Sequence, residues 1–143
     1  MEVVDLEKTI QRNKMFQNID VAKLIIRLGL GIMMLFHGVD KIRNGIGGVK
    51  HLVTKAGLPE FLAYGVYMGE VLMPIFIILG LYARAASVVL GFTMVFAIFL
   101  AYGVAFLALT KHGAPAMELP FLYLVLSLSV FFLGSGRYAL NSK

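Results

Sequence analysis

Four long apolar runs separated by shorter polar stretches set the pattern of this chain. They are VAKLIIRLGLGIMMLFHGV at 21–39, FLAYGVYMGEVLMPIFIILGLY at 61–82, AASVVLGFTMVFAIFLAYGVAFLAL at 85–109 and LPFLYLVLSLSVFFLGS at 119–135. Each has the length an α-helix needs to cross roughly 30 Å of hydrocarbon at 1.5 Å of rise per residue. Strict two-residue alternation is absent, so the strands of a membrane β-barrel are not expected. The pattern predicts an all-α fold, a bundle of four transmembrane helices. A polar loop at 40–60, a tight turn around Ala83–Arg84 and a loop at 110–118 join them. Four crossings place both termini on the same side.

The first 20 residues, MEVVDLEKTIQRNKMFQNID, are mixed polar. They divide the chain into an N-terminal segment, 1–20, and a membrane domain, 21–143. Val3, Leu6 and Ile10, with Met15 and Phe16 beyond, can line one side of a short interfacial helix. A polar tail is the alternative. No short apolar core with a small-residue cleavage site is present, so this is not read as a signal peptide.

Composition agrees with the pattern. The chain is 59% hydrophobic and only 15% charged over 143 residues, with a mean hydropathy of +0.85. A soluble domain carries about 25% charged residues, so an integral membrane protein in contact with the lipid bilayer is expected. The net charge of +5 reads as Lys and Arg near anionic headgroups, and no nucleic-acid partner is expected. There is no cysteine, which excludes thiol–disulfide chemistry and thiolate metal ligation. No two of the three histidines are spaced to share a metal, so no metal site is expected. Lys8, Arg12, Lys14, Lys23, Arg84, Arg137 and Lys143 fall on one side, and Lys41, Arg43, Lys50, Lys55 and Lys111 on the other. The excess on the first side favours cytoplasmic termini.

The charges inside the runs are the candidate chemistry. Glu70 sits near the middle of the second run. A charge at a helix centre costs about 2.5–3.5 kcal/mol, against about 0.3–0.6 kcal/mol returned by each Leu, Ile, Val or Phe. The segment can therefore insert, and the carboxylate should face the interior of the bundle and find a partner. Arg27 is the expected partner, offset in depth by about 9 Å in an antiparallel neighbour and able to snorkel toward it. Nearer the surface, His37 and Lys41 lie four apart on one helix face, and Glu118 opens the fourth run at the same side. Arg84, Lys111 and Lys41 also read as interfacial anchors. Pro74 cannot donate to the Glu70 carbonyl four residues back, so a kink and a free acceptor are expected beside the carboxylate. Gly65 and Gly69 form a GxxxG pattern that permits close helix approach. The buried charges either fix which helices pack together or bind a ligand.

Several motifs occur in the order seen in the DoxX family of small four-helix membrane proteins, which the chain resembles over about residues 21–141. They are Arg27 with Gly31, FHGVDK at 36–41, AGLPEFLAY at 56–64, Glu70, GLYARAAS at 80–87, Glu118 and GSGRYALN at 134–141. The family's charged positions match Arg27, His37, Lys41, Glu70, Arg84 and Glu118. The family pattern ends in an aspartate where this chain has Asn141. The resemblance implies a membrane subunit linked to an oxidoreductase complex, as in the small subunit of an archaeal thiosulfate:quinone oxidoreductase. Distant relatives look like cargo receptors.

Three functions follow as expectations. The first is a redox-linked membrane subunit that binds a membrane quinone. His37, Glu70 or Glu118 would supply protons there, and Arg27 or Lys41 would stabilise negative charge. Such a chain is at most a non-autonomous subunit of an oxidoreductase, since it carries no electron carrier of its own. The second is a scaffold or receptor for a protein partner, docked on the basic 40–60 loop. The third is a small proton or anion carrier, which needs a homo-oligomer to enclose a path. The expected location is the cell (inner) membrane, crossed several times.

Overall fold

The computed structural model describes residues 2–16 and 18–141, and all regular structure among them is helical. Helix α1 is Val3–Phe16, α2 Ile19–Asn44 and α3 Gly47–Lys55. Helix α4 spans Glu60–Leu79, α5 Ala83–Tyr102 and α6 Glu118–Leu133. One isolated β-bridge, Leu109 to Pro115, closes the loop between α5 and α6. The side chains of Arg12, Met15 and Phe16, and all of Lys143, lie outside the described residues. Val3, Leu6 and Ile10 of α1 are exposed.

The helix ends follow local chemistry. The Val21 N–H donates to Asn18 Oδ1 at 3.2 Å, which caps α2. Helix α2 then runs five residues past Val39, so His37 and Lys41 both sit on its last turns. It stops at Gly45, whose φ of 82° ends the helical path. The loop expected at 40–60 therefore contains the end of α2 and all of α3. The third apolar run stays hydrophobic to 109, but α5 ends at Tyr102 because Gly103 turns to φ 51°. The turn before α5 falls at Gly80–Tyr82, with Gly80 at φ 70°, rather than at Ala83–Arg84, which are the first residues of α5.

Helix α4 is not uniform. It opens as a 3-10 turn at Glu60–Tyr64 and passes through a short α stretch. It then widens to a π-helix over Met68–Leu72 and returns to α at Met73–Leu79. The π segment directly precedes Pro74, so a widened turn accommodates the missing N–H. It also carries Glu70.

Two helices among the described residues are long and apolar enough to cross a membrane. These are Glu60–Leu79, with a mean hydropathy of 1.8, and Ala83–Ala105, with 2.3. Helix α6 is apolar but only 16 residues long, and α2 carries Asp20, Lys23, Arg27, Asp40, Lys41 and Arg43. All four contribute to one core: Leu30 and Met34 from α2, Met73 and Ile77 from α4, Leu90 and Met94 from α5, Tyr123 and Val130 from α6. A second cluster joins Val53 of α3 to Ala63 and Val66 of α4. Outside these cores the helices expose large apolar side chains, including Ile25, Phe36, Phe99 and Phe132.

Glycine sets the register between α2 and α4. Gly31 and Gly38 are seven residues apart and share a face. A Cβ at Gly38 would stand 2.2 Å from the Glu70 carbonyl oxygen, the acceptor that Pro74 leaves without its usual donor. A Cβ at Gly31 would stand 2.4 Å from Ile78 Cγ1 and 3.0 Å from the Pro74 carbonyl. Gly38→Ala is therefore expected to push α2 off α4 at a cost of about 1–3 kcal/mol. A fall in the melting temperature of the detergent-solubilised protein measures it. A melting temperature equal to wild type would show that the two backbones are not in contact.

Candidate functional site

The two charges expected to meet inside the bundle do not. Arg27, only 1% exposed, points its guanidinium at four carbonyls. Nε donates to Ile77 O at 3.0 Å and Nη2 to Ile78 O at 3.0 Å. Nη1 donates to Tyr138 O at 2.9 Å and also to Ser135 O. Ile77 and Ile78 lie in the last turn of α4, whose carbonyls have no partner in the helix itself and carry its negative dipole end. Ser135 and Tyr138 belong to the segment after α6. Arg27 thus ties that segment to the end of α4, and the backbone adds Leu140 N–H to Leu79 O at 3.0 Å. A Cβ at Gly80 would meet Arg27 Cζ at 3.0 Å, so Gly80 is needed for space as well as for its positive φ. GLYARAAS and GSGRYALN, far apart in the sequence, thereby form one spatial cluster. Arg84 lies along Gly134 in the same region. Ser135 Oγ is buried without a hydrogen-bond partner, so Ser135→Ala is expected to leave the melting temperature equal or higher.

Glu70 instead pairs with Lys41, whose Nζ lies 2.5 Å from Oε2. The carboxylate side chain is 9% exposed and the lysine 22%. The π segment of α4 and the last turn of α2 bring the two together. Tyr67, one turn earlier on α4, donates its hydroxyl to the Lys41 carbonyl at 3.3 Å. Glu70 also does not join His37 in an ion pair. The expected grouping of His37, Lys41 and Glu118 is split: Glu118 is exposed at the start of α6. The two ion pairs among the described residues are Lys41–Glu70 and Lys50–Glu60.

Beside the Lys41–Glu70 pair lies an open chamber of about 630 Å³. Helix α3 contributes Val49 and Leu52 to its wall, α4 Leu62, Ala63, Gly65, Val66 and Glu70, and α5 Val88, Phe92, Thr93, Phe96 and Leu100. Lys41 and Glu70 are its charged groups. Phe92, 74% exposed, marks where the chamber meets the outer apolar surface. The GxxxG expectation divides here. Gly69 is at a close approach, where a Cβ would stand 2.1 Å from Thr93 Oγ1, while Gly65 has open space before it and lines the chamber. Glu70 also borders a second cavity, of about 140 Å³, lined by His37, Tyr123, Met34, Met94, Ala97, Leu119 and Pro120. His37 packs edge-on against Tyr123, with ring centroids 5.5 Å apart.

Helix α3 is fastened over the chamber by Lys50. Its Nζ reaches Glu60 Oε1 at 2.8 Å and stands 4.9 Å from the Tyr64 ring centroid. The hydrogen bond to Glu60, then that to Tyr64, holds the Lys50 amine charged above its ordinary range. Whatever this contact adds to stability is present below that ordinary range and is lost only as pH climbs through the raised value.

Tyr123 and Thr93 were not singled out by sequence, and Gly31 and Gly38 stood there only within motifs, not as a packing pair. The seven-residue spacing of the two glycines on α2 is the signal that could have found them. No group of three or more acidic or histidine residues that could hold a metal occurs among the described residues. No solved structure matches the chain. A protein of Bacillus subtilis (strain 168) named "Putative oxidoreductase CatD" is 28% identical over 130 residues, covering 89% of this chain and 90% of the relative. The DoxX family model matches residues 22–103, which run from α2 through α5 and include Arg27, His37, Lys41, Glu70 and Arg84. With more than half its length matched, from the Arg27 lock to the Lys41–Glu70 chamber, the chain belongs to the DoxX family.

Proposed function

We propose that this chain is a membrane subunit of a redox-linked complex, and that its chamber takes the headgroup of a lipid quinone. The observation that carries the reading is the chamber itself. It is an apolar space of about 630 Å³, reached past the exposed Phe92, with one ion pair in its wall. The pair is neutral as a whole, which suits an uncharged ligand with polar oxygens and an apolar tail. The redox link is supported by the name of the Bacillus subtilis relative. The exposed apolar side chains on α2, α5 and α6 support a bundle of four crossings that faces lipid, and the excess of Lys and Arg on one side supports cytoplasmic termini in the cell (inner) membrane.

A bound quinone supplies a two-electron, two-proton acceptor. The chain contributes the remaining chemistry. The Lys41 ammonium can donate to a ligand oxygen and stabilise negative charge on it. Glu70 can deliver a proton as the acid and take one from a hydroxyl as the carboxylate. The apolar wall limits water on the chamber side of the pair. Electrons must come from a partner subunit, so the chain is not an enzyme alone.

The reading is tested by titrating a short-chain benzoquinone into the protein in nanodiscs, against Glu70→Gln and against Ala101→Trp, a bulky side chain at an α5 residue that also lines the chamber. Saturable binding that weakens at least about tenfold, or 1.4 kcal/mol, in both variants is expected. Equal binding in all three proteins would refute the site.

A further inference from the structure

Glu70 lines two cavities, the large chamber and the small one of about 140 Å³, and Ala97 borders both as well. Lys41 engages Oε2, and Oε1 has no bond to another side chain among the described residues. The small cavity has room for several waters, each of which occupies about 30 Å³ in the liquid. Its polar groups are His37, Glu70 and Tyr123, which give such waters hydrogen-bond partners.

His37 is set up to pass a proton. Its Nδ1 lies 3.1 Å from the Met33 carbonyl on the preceding turn. A carbonyl only accepts, so Nδ1 carries hydrogen in the neutral ring and Nε2 keeps its lone pair. The edge-on contact with Tyr123 fixes the ring plane. His37 is only partly buried. The cavity it shares with Glu70 reaches Leu119 in the first turn of α6, next to the exposed Glu118.

We propose that His37 is the proton relay of Glu70, exchanging protons between the carboxylate and the aqueous end of α6 through water in the small cavity. In each cycle Nε2 takes one proton from the aqueous side. It passes one through water to the Glu70 carboxylate, which becomes the neutral acid, and His37 returns to the neutral ring. No electron moves. The other titratable groups at this route are Tyr123 from α6, which lines the cavity, and Lys41 from α2, which holds Glu70 Oε2; α5 presents Met94 and Ala97. The relay rests on the proposed function only in giving the delivered proton a use in the chamber.

The test needs no ligand, so its result is independent of quinone binding. Protein in nanodiscs is taken through a rapid drop in pH, followed by time-resolved infrared at the carboxylic acid band that Glu70→Gln abolishes. His37→Ala is expected to slow protonation at least tenfold, and millimolar imidazole is expected to restore the rate. Leu119→Trp, which keeps His37 but fills the cavity, is expected to slow it as well. A purely structural role for His37 would not give rescue by imidazole. Unchanged rates in both variants, or slowing that imidazole does not relieve, would overturn the relay. An empty chamber with a His37-dependent rate would refute the quinone reading and keep the relay.

Discussion

Arg27→Ala is expected to prevent the chain from accumulating in its folded form. The substitution removes a buried cation and leaves the carbonyls of Ile77, Ile78, Ser135 and Tyr138 without that donor. Hydrogen bonds to a charged group contribute about 1.5–3 kcal/mol each. Several lost together, plus the cavity, exceed the roughly 4–5 kcal/mol above which a single substitution is exceptional. Arg27→Lys does not repair the defect, because an ammonium on a flexible stem cannot reach two carbonyls on each side as a planar fork does. It should give a folded but less stable protein whose weakest point is the segment after α6. Limited proteolysis reads this directly, with first cleavage in 134–141 in the lysine variant and protection there in wild type. Protection equal to wild type in Arg27→Lys would show that the backbone pairing of Leu140 with Leu79 holds the segment alone.

Lys41→Met should cost nearly as much, for a different reason. It strands the Glu70 carboxylate beside an apolar chamber. Removing one partner of a buried pair costs about 3–5 kcal/mol, and the partial exposure of Lys41 places this pair at the low end of that range. Lys41→Met with Glu70→Met removes both charges and should recover most of the loss, since the wall then becomes apolar throughout. Thermal melts of the two single variants and the double variant form a cycle that isolates the pairing energy. Additive losses would mean that Lys41 and Glu70 do not interact. Because the double variant keeps its fold, it also separates stability from function: it should be stable and bind no quinone.

The sequence made some of this legible and hid the rest for physical reasons. Apolar length announced α2, α4, α5 and α6, because burial and helix length leave a direct mark on composition. Glu70 stood out for the same reason. Its partner was not legible. Depth estimated from the ends of the runs put Arg27 within reach of Glu70, but the real register is set by Gly31 and Gly38 against the α4 backbone. That register carries Arg27 to Ile77 and Ile78, roughly 11 Å further along α4 than Glu70 by helical rise. It carries Lys41 to Glu70. The end of α5 was hidden because hydrophobicity continues past Tyr102 while the backbone turns at Gly103. The chamber could not be read at all, since it forms from residues on four helices whose rotation no single run encodes.

The central claim, that the Lys41–Glu70 chamber holds a small apolar ligand, is tested most directly by native mass spectrometry with lipid extraction. Gently solubilised wild type is compared with Glu70→Gln. The account predicts a quinone bound to wild type and absent from the variant. An empty wild-type chamber, with the same stoichiometric protein partner retained by both forms, would contradict it and assign the chain to the scaffold role instead.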